Sequence, residues 1–356
     1  MMSGSPSPPD SPFRAHARWQ AHWCTALGSP FTAQLCTLVA DRLDPATPLA
    51  RRLDSWPGNP QDDALMLRIT GGLHALVRAG KAPALAALYP PNPAPDPDTL
   101  RAALAPVLAG KAILPWLDSA PQTNEVARSG VLVPGFLSIA AETGLPLALL
   151  ELGCSAGLNL VPDRYAYRLG TLDAGNHDSC LRIEPIWEGA DPPAAPLRIA
   201  SRAGVDLNPL DLLDPDARNR LLAYVWPDQP QRLERMARAI AITAEDPPEI
   251  VKGDAADFVE TRVRTCKGVT TTVFHSIAFQ YFPPETQGRI TAHMEEAGAR
   301  ATPSAPLAWL RFEMEPGADG TDHSGAPTLR LKLWPTGEDR LLARAHPHGR
   351  LVEWLA

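Results

Sequence analysis

The sequence predicts an α/β protein: an all-α N-terminal region, then a mostly parallel sheet that closes with an antiparallel hairpin. Between residues 15 and 141 apolar side chains recur at helical spacing, as in Leu65, Leu67, Ile69, Leu73, Leu76 and Val77, against a background rich in Ala and Leu. Beyond residue 144 the pattern changes to short, nearly continuous apolar runs: LPLALLEL (145–152), PEIV (248–251), TTTVFHSIAF (270–279) and APLAWLRFEM (305–314). Such runs suit parallel strands buried on both faces. Helical stretches at 216–222, 231–244 and 284–299 separate them, which is the alternation of a βαβ sheet. At the end, TLRLKLW and RLLARAH flank a PTGED turn and read as the hairpin.

Taken in order, MMSGSPSPPDSPF opens the chain, and residues 1–12 are expected to be a disordered tail because Ser, Pro and Gly bury too little surface to offset ordering entropy. Residues 13–144 form the helical region. Proline-rich breaks such as YPPNPAPDPD (89–98) separate its helices, since proline lacks the amide donor and biases its predecessor away from helix. Residues 145–356 form the sheet domain. The length of 356 residues suits about two domains, and 45% hydrophobic with 21% charged residues is ordinary for a globular chain.

The formal charge of −7 argues against a protein that wraps nucleic acid, which needs Lys and Arg to displace counterions from phosphates. Five cysteines without a Cys-x-x-Cys pair suit a reducing cytoplasm and give no expectation of a metal site. No stretch is long and apolar enough to span a bilayer, so a cytoplasmic protein with a small-molecule substrate, and neither nucleic acid nor membrane as partner, is expected. Oligomeric state is open.

The strongest local signal is LLELGCSAGLNL (149–160), a strand running into a loop with Gly153, Ser155 and Gly157 and then a helix start. Small residues there let backbone approach a ligand closely. The plainer reading is a strand-to-helix turn with a packing role only. Glu151 sharpens the choice, because a carboxylate at the strand tip repels phosphate and favours a cation. The same loop also satisfies Gly-x-Ser-x-Gly, the nucleophile elbow of α/β-hydrolases, with Ser155 as nucleophile, Asp254 or Glu313 as acid and His346 or His348 as the late histidine.

The segment resembles the first motif of class I S-adenosylmethionine-dependent methyltransferases, an acidic residue followed by Gly-x-Gly-x-Gly, with Ser155 in place of the middle glycine. Three later runs are similar to the same family in the same order. AGVDLNP (203–209) resembles the end of its second strand, which implies that Asp206 accepts hydrogen bonds from the ribose hydroxyls. EIVKGDAADF (249–258) resembles the third strand and its loop, which implies Asp254 at the adenine amine and Ala255 beside the ring. TVFHSIAFQYFPPE (272–285) looks like the fourth strand and the loop facing substrate. The resemblance implies a Rossmann-like methyltransferase sheet, S-adenosylmethionine as cofactor, and methyl transfer to a small acceptor. It departs from the family in spacing: Asp206 follows Gly153 by far more than the roughly 20 residues of a compact unit. Insertions near 165–200 and 210–245 are therefore required, and Asp173 and Asp178 stand as nearer candidates for the ribose. The second insertion, with YVWPDQ, could cover the substrate. The whole chain also resembles a bacterial family known as domain of unknown function 2332, through QTNEVARSG (122–130), ELGCSAGLNL, VWPDQ, VFHSIAFQY and LLARAHPHG.

His275 is the one general base that the sequence offers, since its unperturbed pKa lies near neutrality, although such a histidine also serves as hydrogen-bonded structure. Gln280 and Tyr281 follow it and are substrate-binding candidates. Asn124, Glu125 and Arg128 either cap a helix or fold over the substrate pocket, and Trp226 is either a packing anchor or part of that pocket. A non-catalytic module that keeps the fold is the other functional class.

Overall fold

The computed structural model describes residues 11–315 and 326–356. Its helices, in chain order, are α1 (Pro12–Ala26), α2 (Pro30–Arg42), α3 (Pro48–Asp54), α4 (Leu65–Arg78), α5 (Pro83–Ala86), α6 (Pro97–Ala109), α7 (Ser129–Thr143), α8 (Pro215–Tyr224), α9 (Pro230–Glu245), α10 (Ala255–Arg262) and α11 (Pro284–Ala299). The strands are β1 (Leu147–Leu152), β2 (Ala166–Leu169), β3 (Leu172–Gly175), β4 (Arg182–Ile183), β5 (Ile186–Glu188), β6 (Ile199–Asp206), β7 (Glu249–Lys252), β8 (Thr270–Ser276), β9 (Leu307–Glu313), β10 (Thr328–Trp334), β11 (Glu338–Ala345) and β12 (Leu351–Trp354). Proline opens most of these helices, where its fixed φ suits the first turn and its missing N–H leaves no bond unmade. The expected tail lies outside the described residues except for its last two. There Ser11 caps α1 and Pro12 begins it, which corrects the boundary by two positions.

The chain divides into two compact units: residues up to Thr123 together with Asp214–Glu234, and Asn124–Leu213 together with Arg235–Ala356. The first is helical. Its core joins Leu35, Val39, Leu49, Leu65, Ile69, Leu73, Leu100 and Leu104, the inward positions of α2, α3, α4 and α6. The later segment belongs to this unit for identifiable reasons. The Asp228 carboxylate accepts from the Phe31 amide and the Thr32 hydroxyl, both at 2.9 Å, and so caps α2, whose own N-cap residue Ser29 makes no side-chain cap bond. His74 of α4 lies 3.2 and 3.0 Å from the carbonyls of Ala223 and Val225. Trp226 packs against the helical core.

The second unit carries a nine-stranded sheet among the described residues, in the order β5-β12-β11-β10-β9-β8-β1-β6-β7. It is mostly parallel: β7, β6, β1, β8 and β9 run the same way, β10 and β11 form the expected antiparallel hairpin, β12 pairs antiparallel with β11, and β5 pairs parallel with β12. From β1 the chain builds outward through β6 and β7 on one side, then returns to build β8 and β9 on the other. The direction of growth thus reverses at β1.

Successive strand residues face opposite sides. Val273 and Trp309 join a core with Phe258, Val259, Ile290 and Met294 of α10 and α11, whereas Phe274 meets Phe136 of α7 edge-on at 5.2 Å between ring centroids. The helices therefore cover both faces. α7 lies so close to β9 that a Cβ on Gly135 would stand 2.6 Å from Leu310 Cδ1. This contact explains why the boundary falls at residue 124 rather than at the expected 144: α7 is part of the sheet's own cover. The expected insertion at 165–200 is a three-stranded sheet, β3-β2-β4, followed by β5 at the far edge of the large sheet. The stretch near 210–245 is α8 and α9, and its residues 214–234 belong to the helical unit.

Because Asp228 supplies the cap that α2 lacks locally, Asp228→Ala should destabilise the helical unit by about 1–2 kcal/mol, the range for a lost helix cap. Urea denaturation followed by far-UV circular dichroism measures it, and an unchanged midpoint would exclude the capping role.

Candidate functional site at the carboxyl ends of the parallel strands

β1 ends at Glu151 and Leu152, and the loop that follows is held by backbone bonds. The amides of Gly153 and Cys154 both donate to the Val205 carbonyl of β6, at 2.9 and 3.1 Å. Gly153, Ser155 and Gly157 have φ of +69°, +53° and +72°. A Cβ on Gly153 would stand 2.8 Å from Ala278 Cβ, and one on Gly157 2.8 Å from Pro248 Cγ, so both glycines are required by the protein's own packing as well as by backbone conformation. The helix start expected after this loop is a single 3₁₀ turn, Leu158–Leu160. It offers no helix dipole to an anion.

The side chains around the loop are polar and buried. Glu151 is 2% exposed, its neighbours in register are Gly204 of β6 and Phe274 of β8, and its Oε2 has no hydrogen-bond partner among the described residues. Ser155 Oγ is likewise buried without a partner. Burial first, and then the nearby charge of Asp206, hold the Glu151 carboxyl well above the usual carboxylate range, while Arg128 acts in the opposite sense. Asp206, the last residue of β6, turns its carboxylate to the loop: Oδ2 accepts from the Ser155 amide and Oδ1 from the Asn208 amide, both at 2.8 Å. The nearer candidates are placed elsewhere. Asp173 lies on β3, where it pairs with Arg168 and Arg182, and Asp178 lies in the turn before β4.

At the tip of β7, Asp254 caps α10. Its Oδ1 accepts from Ala256 at 2.8 Å and Asp257 at 3.3 Å, and Oδ2 lies 3.3 Å from the Thr286 hydroxyl. Ala255 is buried beside it.

β8 leads to the other half of the edge. His275 is 1% exposed; its Nδ1 lies 2.6 Å from Glu313 Oε1, and its Nε2 accepts from the Trp309 indole at 3.1 Å. An indole N–H can only donate, so Nε2 is bare and the ring proton sits on Nδ1. Both nitrogens are then committed, and the ring stacks on Phe279 at 4.8 Å. The general-base role expected of His275 needs a lone pair open to substrate, which this geometry does not provide. Glu313, at the end of β9, also accepts from the amides of Ala278 and Phe279, at 3.0 and 3.1 Å, and so fixes the loop after β8. That loop contains Ile277 at φ +48°, a conformation costly for a β-branched residue. Gln280 follows with Oε1 buried and unpartnered, whereas Tyr281 is 72% exposed.

QTNEVARSG joins this edge at its start. Asn124, at φ +28°, accepts the Leu158 amide through Oδ1 at 3.2 Å, and Ser129 donates to Asn159 at 2.7 Å. Glu125 is 3% exposed and accepts the Ala127 amide at 3.2 Å, with Arg235 Nε 4.0 Å away. Arg128 donates to the carbonyls of Ser276, at the tip of β8, and Pro347, both at 2.9 Å. A Cβ on Gly349 would meet the Ala127 carbonyl oxygen at 2.3 Å, so the HPHG turn lies directly against this segment.

Asn124, Glu125 and Arg128 are thus gathered with the glycine loop, Asp206 and the loop after β8. Trp226 packs against the core of the helical unit. Sequence reasoning missed Ile277 and Arg235, and it weighed Glu313 only as a catalytic acid rather than as the anchor of a loop. An acidic residue closing a mostly apolar strand, LAWLRFE in β9, is the signal that identifies Glu313.

The class defined by these features is an α/β protein with a large, mostly parallel sheet and a strained, polar cluster at the carboxyl ends of its central strands. That edge, where the order of strand addition reverses, is where open α/β sheets bind ligands. The chain belongs to the bacterial family described as "Uncharacterized protein conserved in bacteria (DUF2332)", whose match spans residues 14–354. No curated protein sequence matches it. Among the described residues no helix is long and apolar enough to cross a membrane, and no group of three or more His, Cys, Asp or Glu side chains is placed to hold a metal ion.

Glu313→Ala should remove one carboxylate oxygen that serves three donors and destabilise the sheet unit by about 3 kcal/mol, the scale for stranding buried donors of a charged acceptor. Urea denaturation gives the total. Amide exchange at Ala278 and Phe279 faster than in Glu313→Gln localises it to the loop, and equal rates would refute the anchoring role.

Proposed function

We propose that the sheet unit is an S-adenosylmethionine-dependent methyltransferase acting on a small molecule. The observation that carries this reading is the pair of orphaned buried groups, Glu151 Oε2 and Ser155 Oγ, at the loop following β1. A buried polar atom without a partner costs stability, and its retention at a strand tip is the mark of a ligand site. The five parallel strands support it as well, because their order is that of a doubly wound nucleotide-binding sheet of Rossmann type.

The residues fit the cofactor in kind. Glu151 and Ser155 with the glycine loop would hold the methionine end, Asp206 the ribose, and Asp254 with Ala255 the adenine. When bound, S-adenosylmethionine supplies a methyl group on a positively charged sulfur. Glu151 and Asp206 provide the negative field that a cation needs, and the burial of Glu151 keeps water from weakening it. Asp206 is oriented by the amides of Ser155 and Asn208 before any ligand arrives. The loop after β8, fixed by Glu313, brings Gln280 and Tyr281 to the acceptor side. With His275 committed on both nitrogens, the protein's contribution is alignment and exclusion of water.

A non-catalytic module that retains the ligand is the second reading, favoured by that same His275 geometry. The hydrolase reading lacks support: Ser155 Oγ has no hydrogen-bond partner, histidine included, among the described residues.

Isothermal titration with S-adenosylmethionine and S-adenosylhomocysteine tests the proposal, with micromolar binding of either expected. Asp206→Ala should weaken that binding at least about tenfold, the loss of one to two hydrogen bonds to a charged group. Unchanged affinity would remove Asp206 from the site, and no heat from folded protein with both compounds would overturn the cofactor.

A further inference from the structure

Glu151 has a property that neither packing nor the loop's own architecture uses. It is 2% exposed, one of its oxygens has no partner, and the residues facing it do not neutralise it. On β6 its register neighbour is Gly204 and on β8 it is Phe274, neither of which titrates. Asp206, from the end of β6, adds a like charge; Cys154 on the loop and Tyr165 before β2 are buried acids whose thiol and phenol are themselves pushed up, first by burial and then, among other groups, by Glu151. Arg128 is the one cation that acts on Glu151, and its Nε and Nη1 donate to the carbonyls of Pro347 and Ser276. The arrangement is an acid confined with another acid, with one buried oxygen unpartnered among the described residues, and short of positive charge.

We propose that Glu151 is the docking point for the positive charge of the ligand, and that it gives up a proton when that charge arrives. Without ligand the carboxyl carries its proton, because an ionised Glu151 would sit dehydrated beside Asp206. A sulfonium or ammonium group at Oε2 reverses the balance: the O–H bond of Glu151 breaks, the proton passes to solvent buffer, and carboxylate and cation remain paired. The inference rests on the cofactor reading above and deepens it, since it makes the site selective for a cation over a neutral analogue of equal shape. It also makes affinity rise with pH.

The sign for stability is opposite. A carboxyl held above its unfolded value keeps the folded state fully stable below about pH 4.5 and loses that contribution as pH rises through the folded value, because the native state binds more protons than the unfolded one. Glu151→Gln cannot ionise. The gap in stability between variant and wild type should therefore widen in favour of the variant from pH 5 upward.

The experiment is titration of the full chain with S-adenosylmethionine, and in parallel with S-adenosylhomocysteine, in buffers of different ionisation enthalpy at one mildly acidic pH. Wild type should release up to about one proton per bound S-adenosylmethionine. Glu151→Gln should release close to none and bind at least about tenfold more weakly; S-adenosylhomocysteine, which keeps the ammonium but lacks the sulfonium, should lose as much on the same substitution where the ammonium docks at Glu151, and less where the sulfonium does. Binding without proton release, or equal release by the variant, overturns the inference and leaves the cofactor reading standing. Absence of binding by either compound overturns both. Urea denaturation of both proteins across pH 5–8 shows that the variant folds, and a stability gap that does not change with pH counts against the inference independently of any ligand.

Discussion

The structure of the sheet unit turns on one electrostatic constraint: the carboxyl of Glu151 is buried with the charge of Asp206 nearby, and burial and that charge both oppose its ionisation. Their closeness follows from the fold. β1 and β6 are parallel neighbours, so their carboxyl ends emerge side by side and bring Glu151, next to last in β1, within electrostatic reach of Asp206, the last residue of β6. The loop satisfies Asp206 by donating the Ser155 amide to its carboxylate. It leaves Glu151 unresolved. Ser155 makes its bond in a left-handed conformation that residues of its kind seldom adopt, so the hydrogen bond to Asp206 and backbone strain at Ser155 occur in one arrangement.

The far side of the edge repeats this logic with another carboxylate. Glu313 collects the His275 ring proton and two backbone amides, and that convergence holds Ile277 at a φ its branched side chain resists. Strained residues outside glycine are few among the described positions, and Asn124, Ser155 and Ile277 are three of the four. All three border the carboxyl ends of β1 and β8. Strain gathered at one place must be stabilised by its surroundings, here by Glu313, by the Leu158 amide on Asn124 and by Asp206. Their concentration argues for a preorganised site over a set of unrelated turns.

Much of this was legible in the sequence, and the exceptions have physical causes. The central strands announced themselves because strands covered on both faces must be apolar throughout, and the runs at 145–152, 248–251, 270–279 and 305–314 became β1, β7, β8 and β9. The hairpin followed from its turn. The short strands β2 to β5 did not show, because at two to four residues, with exposed positions among them, they carry no run and no clear alternation. The boundary at 144 misplaced α7, whose composition is that of any buried helix; only contact with Leu310 and Phe274 reveals which core it serves. Trp226 could be read either as a packing anchor or as part of the pocket, because an aromatic residue in a polar cluster between helices reads the same whether it faces a ligand or packs on a core. His275 failed for a related reason: a histidine at a strand end is a base or a strut depending on partners 34 and 38 residues away, Trp309 and Glu313.

The glycine loop shows how far such reading reaches. Its glycines were expected to clear space for a ligand, yet Ala278 and Pro248 occupy the space a Cβ would need. Packing alone therefore accounts for Gly153 and Gly157, and a loop shaped only by packing has no use for a buried acid. An isosteric amide at position 151 would fill the same volume without the cost of dehydrating a carboxyl beside Asp206. The residue that distinguishes a site from a turn is thus the one the fold tolerates least. In this chain the glycines make the motif recognisable, but it is Glu151, buried with an oxygen that no described residue partners, that marks the loop as a ligand site.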